Sequence, residues 1–268
     1  MSKTLNLKVR HYRALPTDNP GYEEELLALP VDKTAFVGLH CWNIGCPDGP
    51  PIDTGYTAGM GWPEATMESW RIMRDVIRPA MDLCREIGIP VYHVEPDEFD
   101  VHYPDVESRR TPESDEFART LRRRSDRWNI QRAGEFERIE ARSGSENEQG
   151  SPVHRMKRAE IVSPQGDESI VFYTSKLDEY LQVRGVDTII YTGFATDMCI
   201  LTSEGGGRPM VTAGYRCILM RDGTCGVESP DTFKEKLATR YGIFRFETAV
   251  GDSTTWEDFQ TAVQGARD

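Results

Sequence analysis

No stretch of this chain approaches the about 18 apolar residues that a membrane-spanning helix needs, and its first residues lack the apolar segment of a secretion signal. Basic residues are the minority, 32 against 44 acidic, for a formal charge of −12, so a polyanion is repelled over most of the surface. Nucleic acid and membrane are therefore not expected as partners. The cysteines, at 41, 46, 84, 199, 217 and 225, lack the dense regular spacing of a disulfide framework. Cys41 and Cys46 have no second cysteine pair and no His-x-x-x-His to complete a tetrahedral zinc set. The triple glycine at 205–207 lacks the strand-then-helix context of a phosphate-binding loop, and no internal repeat is evident. What remains is a cytoplasmic protein with reduced thiols, no cofactor and no metal, whose expected partner is a small-molecule substrate.

The 268 residues suit one large α/β domain with an insertion. Residues 1–33 read as a polar N-terminal extension, an arm that packs on the domain or on a second subunit; the domain proper is assigned to 34–268. Residues 34–39 form an apolar strand with His40, Cys41, Trp42 and Asn43 at its carboxyl end, followed by a Gly/Pro-rich loop to Pro63. Met67, Trp70, Met73, Ile77 and Met81 recur at helical spacing over 65–87, with Pro79 kinking the helix and Gly88 ending it. A strand follows at 89–94. Residues 96–150 are polar, with Arg122, Arg123, Arg124, Arg127 and Arg132 among acids, and read as a helical insertion. Further strands are expected at 169–173, 186–191, 216–220 and 243–246, and helices at 177–184, 197–204, 230–241 and 255–263. Strands alternating with helices imply a parallel sheet covered on both faces by right-handed crossovers. Ligands in such a fold sit beyond the carboxyl ends of the strands.

Residues 186–200 carry the chemistry. An apolar β-rich run through Ile189, Ile190 and Tyr191 leaves by Gly193 into a helix whose first turn holds Cys199, with Thr196 or Asp197 as the expected cap. A thiol beside the orphan N–H groups of a helix start should ionise below its ordinary value of about 8.5.

Residues 177–199 and 214–226, in that order, resemble the helix, strand, nucleophile turn and following strand of the isochorismatase-like cysteine hydrolases, which include nicotinamidases, N-carbamoylsarcosine and ureidoacrylate amidohydrolases and isochorismatase itself. The resemblance implies a three-layer α/β/α sandwich with a six-stranded parallel sheet of order 3-2-1-4-5-6, commonly assembled as a homodimer or homotetramer. It also implies an Asp-Lys-Cys triad, a cis peptide at 194–195, and an oxyanion hole formed by the N–H groups of Ala195 and Cys199. Cys199 matches the nucleophile. His40 stands where the family has its aspartate, and Lys176 and Lys157 are the nearest lysines to the family's lysine segment.

Histidine can serve a thiol as base, so the expected catalytic group is Cys199, His40 and Lys176. Trp42, Asn43, His93, Glu95, Phe99, His102 and Phe194 are the expected substrate-binding residues, with Trp62 and Tyr56 on neighbouring loops. The activity implied is hydrolysis of an amide, ureido or carbamoyl C–N bond through a covalent Cys199 intermediate. The alternative is a member that has lost hydrolysis and serves as a small-molecule binding or assembly module.

Overall fold

The computed structural model describes residues 3–56, 58–104 and 150–267. The five arginines expected on the insertion lie outside the described residues. Among those described, β1 (Thr4–Arg13), β2 (Gly21–Pro30), β3 (Thr34–Leu39), β4 (Val91–Val94), β5 (Ser169–Val171), β6 (Thr188–Phe194), β7 (Arg216–Cys225) and β8 (Asp252–Thr254) form one sheet of eight strands, ordered β2-β1-β8-β7-β6-β3-β4-β5. The helices are α1 (Pro63–Ile72), α2 (Arg78–Ile87), α3 (Thr174–Arg184), α4 (Cys199–Thr202), α5 (Gly207–Thr212), α6 (Leu237–Ala249) and α7 (Trp256–Arg267). None of them is long and apolar enough to cross a membrane.

From β5 to β8 every neighbouring pair is parallel, in the order expected for the six-stranded sheet. The sixth strand, however, is Asp252–Thr254, and residues 243–246 lie inside α6. A short apolar run is ambiguous between strand and helix. Here helical spacing puts Gly242 and Phe246 on the buried side of α6, where no Cβ fits at 242: it would stand 2.6 Å from Asp197 N in the turn before Cys199.

Within the N-terminal extension, Thr4–Arg13 and Gly21–Pro30 are strands and Val31–Lys33 is a 3-10 turn. β1 and β2 pair antiparallel from Thr4↔Pro30 to Arg13↔Gly21, and Arg10 bridges to Ser253 on β8, so the hairpin extends the sheet. Leu5, Leu7 and Val9 are buried while their neighbours Asn6 and Lys8 are exposed, the period-two alternation of a half-covered antiparallel sheet.

Two cores cover the two faces. Phe36, Ile190 and Ile218 pack with residues of α1, α2 and α7 on one side. Val37, Tyr191 and Leu219 pack with residues of α3, α5 and α6 on the other. β3 and β6 are buried at every position, as strands covered on both faces must be, which is why they read as continuous apolar runs. Between α1 and α2 the chain widens into a π-turn, Met73–Ile77, just before Pro79, where proline cannot donate to the preceding turn; Gly88 ends α2 at φ 92°.

On β6, beside β3, Gly193 has φ 114°, and a Cβ there would stand 1.9 Å from Leu39 O. Gly193→Ala is expected to cost about 2 kcal/mol or more of unfolding free energy, because both the backbone angle and the contact oppose it. Urea denaturation of the purified variant measures this, and an unchanged midpoint would contradict it.

Candidate active site

β6 delivers the chain into a tight turn at the carboxyl edge of the sheet. The Phe194–Ala195 peptide is cis. Thr196 N donates to Cys225 O at 3.0 Å, the Thr196 and Thr224 hydroxyls meet at 2.7 Å, and Asp197 Oδ1 accepts from Val227 N at 2.9 Å. Those side chains tie the turn to the end of β7; neither caps a helix, contrary to the sequence expectation.

The helix that Cys199 opens is also shorter than expected, one turn of 4 residues rather than 197–204. Ser203 closes it by donating from N and Oγ to Cys199 O, at 3.1 and 2.8 Å. Gly206 then passes so close that a Cβ would stand 2.7 Å from the same oxygen. A single turn carries little macrodipole, so the field expected to favour the Cys199 thiolate is weak.

Cys199 is half-buried, the other five cysteines are buried, and none forms a disulfide. Cys199 lines a cavity of about 510 Å³ together with His40, Trp42, Phe99 and His102. Gly59, Pro96, Val101, Val153, His154 and Met156 complete the described lining. No Asp, Glu, Lys or Arg is among these residues, in a chain of which 28% is charged. Trp42 stacks on His40, ring centroids 5.3 Å apart and planes 15° apart; Phe99 tilts against Trp42 at 5.6 Å and meets His102 edge-on at 5.9 Å.

His40 occupies the left-handed region, φ 50°, which is strained for a residue with a Cβ. Its main chain is held by His40 N donating to Val94 O at 2.9 Å, and its buried Nδ1 has no hydrogen-bond partner among the described residues. Behind it lies a fully buried charge pair: Arg158 Nη2 is 2.7 Å from Glu95 Oε1, both side chains having 0% exposure. The contact is short but not aligned as a hydrogen bond at Oε1, while Trp42 Nε1 donates to Glu95 Oε2 at 3.0 Å. Burial, reinforced by the Arg158 charge, pushes the His40 imidazole down to about 3, so the ring is neutral at physiological pH. Burial pushes Glu95 up, against the pull of Arg158.

The isochorismatase domain family matches residues 58–258, three quarters of the chain. The chain belongs to the isochorismatase family. A cysteine hydrolase from Pseudomonas syringae pv. phaseolicola 1448A shares the fold at 18% identity, TM-score 0.50, covering 89% of this chain and 95% of that one. An isochorismatase-like hydrolase from Alkaliphilus metalliredigens aligns at 16% identity, TM-score 0.48, covering 87% and 98%. No curated protein matches.

The structure gathers some of the expected site residues of this isochorismatase-family chain and disperses others. His40, Trp42, Phe99, His102 and Cys199 share the cavity. Glu95 lies behind it, and Asn43, 1% exposed, holds the loop by donating to Asp48 O at 3.0 Å and accepting from Lys157 N at 3.1 Å. Phe194 is buried in the core, and Ala195 forms the turn. His93 is not in the lining: its Nε2 meets Glu168 at 2.8 Å, in a cluster completed by Arg85. Lys176 is not in the lining either; in the first turn of α3 its Nζ pairs with Glu179 at 2.9 Å and lies 4.9 Å from the Tyr180 ring centre. Trp62 packs against the core that carries Phe36. The sequence reading missed Arg158, His154 and Met156, which follow a polar segment with no periodic signal. Among the described residues, the one His/carboxylate trio with converging ligand atoms is His11, Glu25 and Asp252, on the N-terminal hairpin and β8.

His40 carries a pH consequence. The unfolded ring takes a proton below about 6.5 while the folded ring does not, so stability present above that pH is lost as pH falls toward 3. His93, held down to about 4 chiefly by burial, acts in the same direction. Between pH 6.5 and 5 each group contributes a loss of up to about 1.4 kcal/mol per pH unit. Urea titrations across that window should therefore show a shallower decline for His40→Gln than for the wild type; equal slopes would contradict a neutral buried His40.

Proposed function

We propose that this isochorismatase-family protein hydrolyses a C–N bond, in an amide, ureido or carbamoyl group, of a small uncharged planar metabolite through a covalent intermediate on Cys199. The observation that carries this reading is that the most exposed thiol of the chain and the strained, buried His40 share one cavity whose described lining is aromatic, imidazole-rich and without formal charge. Flat aromatic walls favour a planar ligand, and burying an ionised one there without a counter-charge costs several kcal/mol. The cavity volume suits a small molecule.

In this mechanism Cys199 Sγ attacks the carbonyl carbon, and the developing oxyanion is received by the main-chain N–H groups of Ala195 and Cys199. His40 takes the thiol proton as the C–S bond forms and passes it to the leaving nitrogen. Water then cleaves the acyl- or carbamoyl-cysteine. Because His40 is held neutral, it forms no thiolate–imidazolium pair with Cys199 at rest, and proton transfer to it is coupled to attack. Lys176, paired with Glu179, has no step in this scheme.

The second reading, a ligand-binding module without turnover, is favoured by one observation: the described lining offers no lysine, and its candidate base is poorly basic. Cys199→Ala separates the two. Hydrolysis requires that the variant lose turnover by about 10³-fold or more on a panel of neutral aromatic carboxamides and ureido compounds; a wild type inert on the panel but thermally stabilised by its members would favour the binding module.

Iodoacetamide should modify Cys199 before any other cysteine, because the other five are buried; peptide mapping that finds another cysteine labelled first would contradict this.

A further inference from the structure

We propose that Arg158 is a positioning residue of this site: its buried guanidinium, acting through Glu95 and Trp42, sets the orientation of the His40 ring on the cavity wall. The inference rests on the reading of that cavity as the place of reaction, and it assigns a task to a residue that touches neither the cavity nor the thiol in the described contacts.

The main chain brings Arg158 to this place. Residues 157–159 lie antiparallel to residues 41–43, with Trp42 bridged to Arg158, Ala159 N donating to Cys41 O at 2.8 Å and Asn43 N to Lys157 O at 2.9 Å. Arg158 N donates to Tyr103 Oη at 3.2 Å. The segment that follows the insertion is thereby fastened to the segment that carries His40.

The guanidinium then reaches under the carboxyl ends of two strands. Nη2 donates to Gly38 O on β3 at 2.7 Å and to Val94 O on β4 at 3.3 Å, and Nη1 to Val162 O at 3.4 Å. Val94 O also accepts from His40 N, so one carbonyl serves both residues. A planar fork with several fixed donors meets these acceptors and the Glu95 carboxylate together; an ammonium on a flexible stem does not.

Buried ion pairs seldom contribute net stability over well-packed apolar side chains, so the arrangement calls for another account. Glu95, fixed by Arg158, accepts from the Trp42 indole, and the indole is the surface on which the imidazole stacks. With its backbone in a strained conformation and Nδ1 without a hydrogen-bond partner among the described residues, His40 depends on that stacking surface for its orientation. The charge acting on His40 is that of Arg158, whose own neighbours include Glu95, Cys41 and Tyr103; His102, His154 and Cys199 line the same cavity as His40.

The test uses the resting 268-residue chain and three variants: Arg158→Lys, which keeps the charge and loses the fork; the double variant Arg158→Met with Glu95→Gln, which replaces the pair by neutral groups of similar size; and Trp42→Phe, which keeps a stacking ring and loses the indole N–H. The ring NMR resonances of His40, assigned from a His40→Gln spectrum, and the rate of Cys199 alkylation by iodoacetamide at pH 7 are read for each. The proposal expects shifted or broadened His40 resonances and a change of about fivefold or more in alkylation rate in all three, with Arg158→Lys failing to rescue the wild-type values. Variants that fold with a lowered Tm but keep the wild-type His40 spectrum, and alkylate within about twofold of wild type, would overturn it. Should the Arg158 variants not fold, Trp42→Phe alone decides by the same criteria. No readout involves turnover, so a failure here is distinct from retention of activity by Cys199→Ala, which would defeat the covalent mechanism.

Discussion

Burying Arg158 against Glu95 behind the carboxyl ends of β3 and β4 is the constraint from which the rest of the site follows. A guanidinium and a carboxylate without solvent must meet each other and the surrounding carbonyls, and that requirement fixes the loop after β3, the end of β4 and the segment after the insertion with respect to one another. Trp42 and His40 are carried on that clamp. Cys199 reaches the same cavity by an independent route, at the end of β6, whose neighbour in the sheet is β3. The switch point between the two halves of the parallel sheet therefore brings together a thiol from one half and an imidazole from the other.

The chemistry of this site departs from that of an acid-based triad in a way that electrostatics makes intelligible. An aspartate at position 40 would sit in the field of the Arg158 charge, which favours its ionised form; an imidazole in the same field, and equally buried, is driven neutral. With Glu95 already neutralising Arg158, a neutral ring adds no further charge to the buried cluster. The cavity above it has no formal charge in its described lining, so both the wall and its substrate, in this account, are uncharged until the carbonyl is attacked. In the proposed mechanism, main-chain N–H groups meet the charge that develops, with little help from a helix of one turn.

Much of this was legible in the sequence, for reasons that differ from element to element. β3 and β6 are covered on both faces, so their apolar runs needed no periodicity to be seen, and the sharp exit at Gly193 marked the turn that leads to Cys199. The N-terminal hairpin was hidden because only alternate residues of β1 face the core, and the charged partners between them dominate the composition. Residues 243–246 misled because a four-residue run with three apolar residues fits a strand and one turn of a buried helix equally well. His40, Trp42 and Cys199 could be named from their places at strand ends. His93 sits beside them in sequence terms, yet it faces Glu168 and Arg85, since successive residues of a strand point to opposite faces and no pattern said which face held the cavity. Arg158 was invisible because its partners are main-chain carbonyls 64 and 120 residues away.

The central claim is that Cys199 forms a covalent bond with the carbonyl carbon of its substrate. Its most direct test is to mix the protein with a neutral aromatic carboxamide or ureido compound that it turns over, quench with acid within a few turnovers, and weigh the peptide containing Cys199 by mass spectrometry. The account predicts an acyl or carbamoyl adduct on that peptide, lost on further incubation and absent from Cys199→Ala. Turnover that continues in Cys199→Ala, with no adduct on the wild-type peptide, would contradict it.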